Sequence, residues 1–313
     1  MKRLFFAALA WASLWAMAAN AQTGGEACPP TASYSSALFA KAAENAADRG
    51  FLWQIQRDGR VSYLYGTMHV GKGEWMSPGP ALRRALSAVD ALALEVDMSS
   101  PEAQRELQAL SSRPLREMPT ALRERLERLW AAECLPKAQL DSAPLELQAM
   151  TLMALMGRRE GYDPTYSSEA MLMMAARLRS LPLVSLESVS MQLKLLLAAN
   201  DAEAIEAVAY ALQQLEKPQT RAMQEKLTRA WEESDLAVLE SYQDWCDCVH
   251  TERERADLEK LLDDRNPGLA DGIERLHAGG QRVLAAVGAL HMTGPQALPK
   301  LLADRGFTVE RLY

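Results

Sequence analysis

One short grammar occurs near both ends of this chain and constrains its fold more than anything else in it. Of the four histidines, two close an apolar run at the same spacing, as Gly66-Thr67-Met68-His69 in "YLYGTMHVGK" and Gly288-Ala289-Leu290-His291 in "LAAVGALHMTG". Each stretch reads as a strand that runs into a loop. Each loop reaches a Gly-Pro pair, Gly79-Pro80 and Gly294-Pro295, where a helix is expected to open. Each helix is followed by a further apolar strand, "ALALEVD" in the first case and "FTVERLY" in the second. The expected fold is α/β, with a mixed central sheet built from two diverged repeats that carry paired G-x-x-H motifs.

The remaining elements fit this plan. "FLWQIQ" and "VSYLYG" flank Asp58-Gly59, a turn pair that predicts a hairpin. Between the repeats, Leu, Met, Ala, Glu and Arg recur at helical spacing over about 101–276. This region reads as one large helical insertion, interrupted by a short strand over Leu181–Ser188. Gly306 is expected to end the last helix as its left-handed residue. The Met-rich positions Met150, Met153, Met156, Met171, Met173 and Met174 would suit a soft-metal or haem site, but at helical spacing they read as core filler.

The first residues read as a targeting segment. Lys2-Arg3 precede an apolar stretch from Leu4 to Ala18, and Ala19-Asn20-Ala21 has the small-x-small form of a cleavage site. The domain plan is a signal peptide at 1–21, a lead-in at 22–50 and a single domain at 51–313. The alternative is an uncleaved anchor. Export to the periplasm, or secretion, is the expected fate. It makes disulfides among Cys28, Cys134, Cys246 and Cys248 the expected use of the cysteines. A direct Cys246–Cys248 bond closes a tight ring, so Cys134 is expected to pair with one of the two. A metal or redox role for "CDC" lacks a second Cys/His pair at zinc spacing. The net charge of −7, with both signs interspersed, offers no basic face for nucleic acid.

Chemistry follows from the layout. Ligands of open α/β sheets sit beyond the carboxyl ends of the strands. Glycine allows a sharp turn and close approach there, so Gly66 and Gly288 would let His69 and His291 face one crevice. Two imidazoles and a carboxylate are a familiar ligand set for a divalent cation with open positions. Glu95 follows "ALAL", where a charge must be paired or coordinated. Each of these residues also has a plainer reading, as a hydrogen-bonded strand-end histidine or a half-exposed strand acid. Glu310, His250 and His277 read as a surface residue, a solvated helix position and a helix-end residue facing the dipole.

Together, "YLYGTMHVGK", "ALALEVD", "DDRN" and "VLAAVGALHMTGPQALPKLLADRGFTVERL" resemble the TraB/GumN family, which is related to the Tiki proteins and, more distantly, to erythromycin esterase and ChaN-like haem-binding proteins. The resemblance spans about Phe51 to Tyr313. It implies an α/β core of repeated halves and, for Tiki-like members, metal-dependent proteolysis. Its motif positions here are Gly66, His69, Glu95, Gly288 and His291. Arg265-Asn266 match an Arg-Asn stretch of the family, and Glu187 matches a strand-end glutamate. The expected function is hydrolysis of a peptide or ester bond. The expected metal set is His69, His291 and Glu95, holding manganese, cobalt or zinc, with Glu95 as an alternative general base. Arg265 is expected to steady an oxyanion, or else to pair with Asp263 or Asp264. Gly66, Gly288, Glu187 and Asn266 would line the ligand site, and the partner would be a peptide or small-molecule substrate. The alternative function is a non-catalytic periplasmic protein that binds a ligand, haem or metal in the same crevice.

Overall fold

The computed structural model describes residues 28–111, 116–141 and 143–313. The proposed signal peptide therefore lies outside the described residues. The sheet has six strands: β1 (Phe51–Arg57), β2 (Arg60–Thr67), β3 (Ala91–Leu94), β4 (Leu183–Ser185), β5 (Val283–Gly288) and β6 (Thr308–Arg311). Their order is β4-β3-β5-β2-β1-β6. The central strands β3 and β5 are buried along their whole length, as their unbroken apolar sequences require of parallel strands covered on both faces. The hairpin between β1 and β2 forms as expected. Asp58 and Gly59 both take positive φ, 52° and 72°, which is the backbone of a type I′ turn.

Strand directions explain where a site can form. β5 pairs in parallel with both β2 and β3, and β3 pairs in parallel with β4. β1 is antiparallel to both β2 and β6, so β6 points the same way as β2. After β2 the chain passes β5 to reach β3. After β5 it passes β2 and β1 to reach β6. Connections therefore leave two adjacent parallel strands in opposite directions. Right-handed crossovers then place the two helices on opposite faces, which opens a crevice at the carboxyl ends of β2 and β5. Both G-x-x-H stretches end at that edge, with Thr67 paired to Gly288.

The helical region is real, and it divides. Helices Ser168–Leu178, Pro218–Glu232 and Asn266–Ala278 contribute to the core that covers the sheet. A second core gathers Leu126, Trp130, Met150, Leu152, Val208 and Leu212 away from it. Helix Leu145–Leu155 is buried almost all round and forms the centre of this second core. Met150, Met153 and Met156 lie in the helical core, while Met171, Met173 and Met174 pack in the sheet core. These methionines are packing residues. No helix among the described residues is long and apolar enough to cross a membrane.

Several details depart from expectation. Cys134 pairs with Cys28, at a Cα–Cα separation of 5.8 Å, and Cys246 pairs with Cys248 at 5.0 Å. The tight ring forms because Asp247 turns through the left-handed region, with φ of 47°. The strand expected over 181–188 is limited to β4. The last helix starts at Leu298 rather than at Gly294-Pro295, because Gly294 has φ of 86° and Asp263 Oδ1 accepts the Gln296 N–H instead. Glu95 stands one residue beyond β3 rather than within it.

Candidate functional site

Gly288 ends β5 and is the centre of the crevice. A Cβ built there would lie 3.3 Å from Glu95 Oε1, 3.5 Å from His69 Nε2 and 3.5 Å from His291 Cδ2. The two G-x-x-H histidines and the strand-end glutamate, more than two hundred positions apart at the extremes, thus surround one spot that only glycine leaves empty. Gly66 plays a different part. Its missing Cβ admits the Ala289 backbone at 3.3 Å, and its carbonyl accepts from the Trp231 indole at 2.8 Å. It lets the turn after β5 pack on β2 rather than facing the crevice.

Each charged group has a defined set of partners. Glu95 Oε1 accepts the Gly288 N–H at 2.8 Å. Its Oε2 accepts from Gln192 Nε2 at 3.1 Å and from Arg265 Nη2 at 2.5 Å. Arg265 also donates through Nε to Glu187 Oε1 at 3.0 Å, and through Nη2 to Glu187 Oε2. Gln192 Nε2 reaches Glu187 as well, at 3.0 Å. Arg265 therefore pairs with Glu95 and Glu187, and neither Asp263 nor Asp264 takes that place. Burial on its own would raise the Glu95 pKa. The Arg265 charge, then the two histidines and the Gly288 N–H, hold its carboxyl well below the usual carboxylate range. Burial also opposes charge on Arg265, but Glu95 and Glu187 keep the guanidinium firmly protonated.

The two histidines are held alike and charged differently. His291 sits on a short 3₁₀ turn, Ala289–Met292, and Asn266 Oδ1 lies 2.6 Å from its Nδ1. The Asn266 amide donates to the carbonyls of His291 and Gln296, so its oxygen is the acceptor of the imidazole N–H. That leaves Nε2 of His291 as the lone pair, facing Arg265 Nη1 at 3.2 Å. Burial, then the Arg265 charge, lower the His291 pKa to about 3, so this ring is neutral. His69 has Glu169 behind it, with Nδ1 to Oε1 at 2.7 Å. Burial lowers the His69 pKa, but the Glu169 charge and contact outweigh it, and the net shift is upward. The same crevice thus pushes the two imidazoles in opposite directions, one by its carboxylate neighbour and the other by burial and a guanidinium.

The structure thus brings His69, Glu95, Glu187, Arg265, Gly288 and His291 together. Asn266 is fully buried beneath His291 as a positioning residue. Glu169 and Gln192 escaped sequence reading. Glu169 occupies the first turn of helix Ser168–Leu178, where an acid reads as a partner of the helix dipole. Gln192 lies inside helix Val189–Leu196 with no local sign of a role. Glu310 is exposed on the edge strand β6, as expected. His250 is exposed and contacts Asp247, as expected of a solvated residue, but it precedes helix Glu252–Leu261, whose N-cap is Thr251, rather than lying within it. His277 lies in the last turn of helix Asn266–Ala278, the helix end expected of it, but its ring is turned inward. It is completely buried, with Nδ1 3.0 Å from Ser62 Oγ, Nε2 3.0 Å from the Arg57 carbonyl and its ring edge-on to Phe307.

Comparison with known proteins agrees with this architecture. The chain is 25% identical to the protein YbaP of Shigella flexneri and to that of Escherichia coli strain K12. In both cases the match covers 78% of this chain and 88% of the relative. No solved structure matches it. The model of the TraB/PrgY/gumN family matches residues 51–311, which include every crevice residue described above. The chain belongs to the TraB/PrgY/gumN family.

Proposed function

We propose that the crevice is the active site of an exported, metal-dependent hydrolase that cleaves amide or ester bonds, most naturally in a peptide. The observation that carries this reading is the ring of Glu95 Oε1, His69 Nε2 and the His291 imidazole around Gly288. It forms at the carboxyl ends of β2, β5 and β3, where adjacent strands send their connections opposite ways. The Cys28–Cys134 pairing is compatible with export.

The donor set suits a divalent cation. His69 and His291 each have Nδ1 held from behind, by Glu169 and Asn266, and this is how protein scaffolds aim imidazole ligands. Glu95 and Glu187 are largely withdrawn from water around the single guanidinium of Arg265, and Glu169 is likewise shielded behind His69. That negative excess favours a cation. As it stands, no group of three or more His, Cys, Asp or Glu among the described residues is arranged to hold a metal ion. Arg265 faces His291 Nε2 at 3.2 Å and stands as an internal cation where a ligand set would close. Manganese, cobalt or zinc is the expected ion. When bound, it would lower the pKa of a coordinated water from near 16 toward roughly 7.

The chain's own groups divide the remaining work. Glu95, held ionised, serves as ligand and negative charge and is a poor base at neutral pH. All five guanidinium N–H groups of Arg265 are committed, to Glu95, twice to Glu187, to the Leu261 carbonyl and to His291. Were His291 Nε2 to serve a cation, one Nη1–H of Arg265 would be free to steady the developing negative charge of a substrate carbonyl. The test is hydrolysis of peptide and ester libraries with added Mn²⁺, Co²⁺ or Zn²⁺, alongside His69→Ala, Glu95→Ala and His291→Ala. Activity lost by orders of magnitude in all three variants supports the reading. Metal-stimulated activity that survives in all three contradicts it.

A further inference from the structure

Glu169 reaches His69 by construction rather than by chance of rotamer. The residues beside them are zipped together: the Met68 N–H donates to Ser168 Oγ at 2.7 Å, and the Ser168 N–H donates to the Met68 carbonyl at 3.0 Å. A second tie follows on the same loop, where Gly71 and Asp163 exchange backbone hydrogen bonds at 3.1 and 2.8 Å. Ser167 caps the helix by accepting the Ala170 N–H, so its first turn is fixed. Met68 and Ser168 therefore meet as neighbours, and the next residue of each chain segment, His69 and Glu169, must face each other. The side chains of both are about four-fifths shielded from solvent, at 20% and 19% exposure. A carboxylate taken that far out of water needs a specific partner.

We infer that Glu169 is the positioning residue of His69: its Oε1 lies 2.7 Å from Nδ1 as a close ion-pair contact rather than an aligned hydrogen bond, it keeps the proton on Nδ1, and Nε2 is then the nitrogen presented to the crevice. The inference rests on the proposed metal-dependent reading, because it assigns Nε2 of His69 to the incoming cation. It supplies the counterpart of Asn266 behind His291. One imidazole is backed by a neutral amide and the other by a carboxylate. A carboxylate behind a ligating imidazole increases the basicity of the opposite nitrogen and fixes its tautomer. The Ser168 clamp gives this pair its register, and the two glycine-histidine strand ends then differ in strength as ligands while sharing one target.

The experiment uses the full mature chain, stripped of metal with a chelator, with Co²⁺ as the probe. Two readouts are taken on the wild type, Glu169→Ala and Glu169→Gln. The first is the tautomer of His69 by long-range ¹H–¹⁵N correlation at alkaline pH. The second is Co²⁺ affinity from its visible absorption. Glu169→Ala is expected to lose the Nδ1–H tautomer and to bind Co²⁺ about 10–100-fold more weakly. Glu169→Gln keeps an acceptor without the charge, so it should retain the tautomer and fall between the two in affinity. Should Glu169→Ala fail to fold, Glu169→Gln decides: wild-type Co²⁺ affinity in it overturns the assigned role. An unchanged tautomer and affinity in Glu169→Ala also overturns it. A wild type that binds no Co²⁺ sinks the metal reading, while the tautomer data still judge Glu169 on their own.

Discussion

Arg265 and Glu187 are joined through two parallel hydrogen bonds, and the same Nη2 that serves Glu187 also serves Glu95. One guanidinium thus bridges two carboxylates that follow different strands. Removing one partner of such a buried set strands the others, at a typical cost of 3–5 kcal/mol. Arg265→Met is expected to lower unfolding stability by about 3 kcal/mol or more in urea titration. Arg265→Lys should recover only part of that loss, because a single ammonium cannot reproduce the fork. A fully stable Arg265→Met would show that the two carboxylates do not depend on the guanidinium.

Gly288→Ala separates site from scaffold. The added methyl enters the space ringed by Glu95, His69 and His291 at 3.3–3.5 Å. The backbone bond from the Gly288 N–H to Glu95 is retained, so the melting temperature should shift by no more than a few degrees. Co²⁺ binding and hydrolysis should fall by at least tenfold. Unchanged Co²⁺ affinity in this variant would place the cation elsewhere.

The two crevice histidines should contribute opposite pH limbs to stability that meet near the ordinary histidine value of 6.5. His291 has a folded pKa of about 3, against an ordinary histidine value of 6.5 in the unfolded chain. The unfolded state therefore binds more protons between those limits, and the stability His291 contributes is lost as pH falls below 6.5. His69 shifts the other way, so its contribution is present below 6.5 and is lost as pH rises through its raised folded value. Denaturant midpoints across pH 5–9 would show the two limbs. Glu169→Gln should flatten the alkaline limb. A His291→Gln profile with an unchanged acid limb between pH 6.5 and 5 would contradict the assignment.

His277→Ala and His250→Ala form a contrasting pair. His277 fills a fully buried position and satisfies Ser62 and the Arg57 carbonyl. Its loss should cost about 2–3 kcal/mol through the unpaired groups it leaves behind. His250→Ala should be nearly silent, since its contact with Asp247 is exposed. Thermal melts of both variants check this directly.

These cases show what the sequence could convey. The G-x-x-H strand ends were legible because an apolar run, a glycine and a histidine are a local pattern. Glu95 was legible because a charge after "ALAL" has no local justification. Arg265, Asn266 and Glu187 came only through family resemblance, since nothing beside them in the chain points to the crevice. Glu169 and Gln192 were hidden because packing over long sequence separations brings them in. The helix-end place of His277 was legible but its burial was not, because the Phe307 ring and Ser62 that enclose it lie on other strands and loops. The cysteine pairing was missed because Asp247, a residue of ordinary appearance, adopts the backbone that lets Cys246 and Cys248 meet.

The most direct measurement is anomalous diffraction from crystals of the mature protein soaked in Co²⁺, recorded on both sides of the cobalt edge. One peak is predicted beside Gly288, within bonding distance of His69 Nε2, a Glu95 oxygen and His291 Nε2, with Arg265 withdrawn from His291 and still paired with Glu187. A crystal saturated with Co²⁺ that shows no peak there, and keeps Arg265 Nη1 at hydrogen-bond distance from His291 Nε2, would contradict the account.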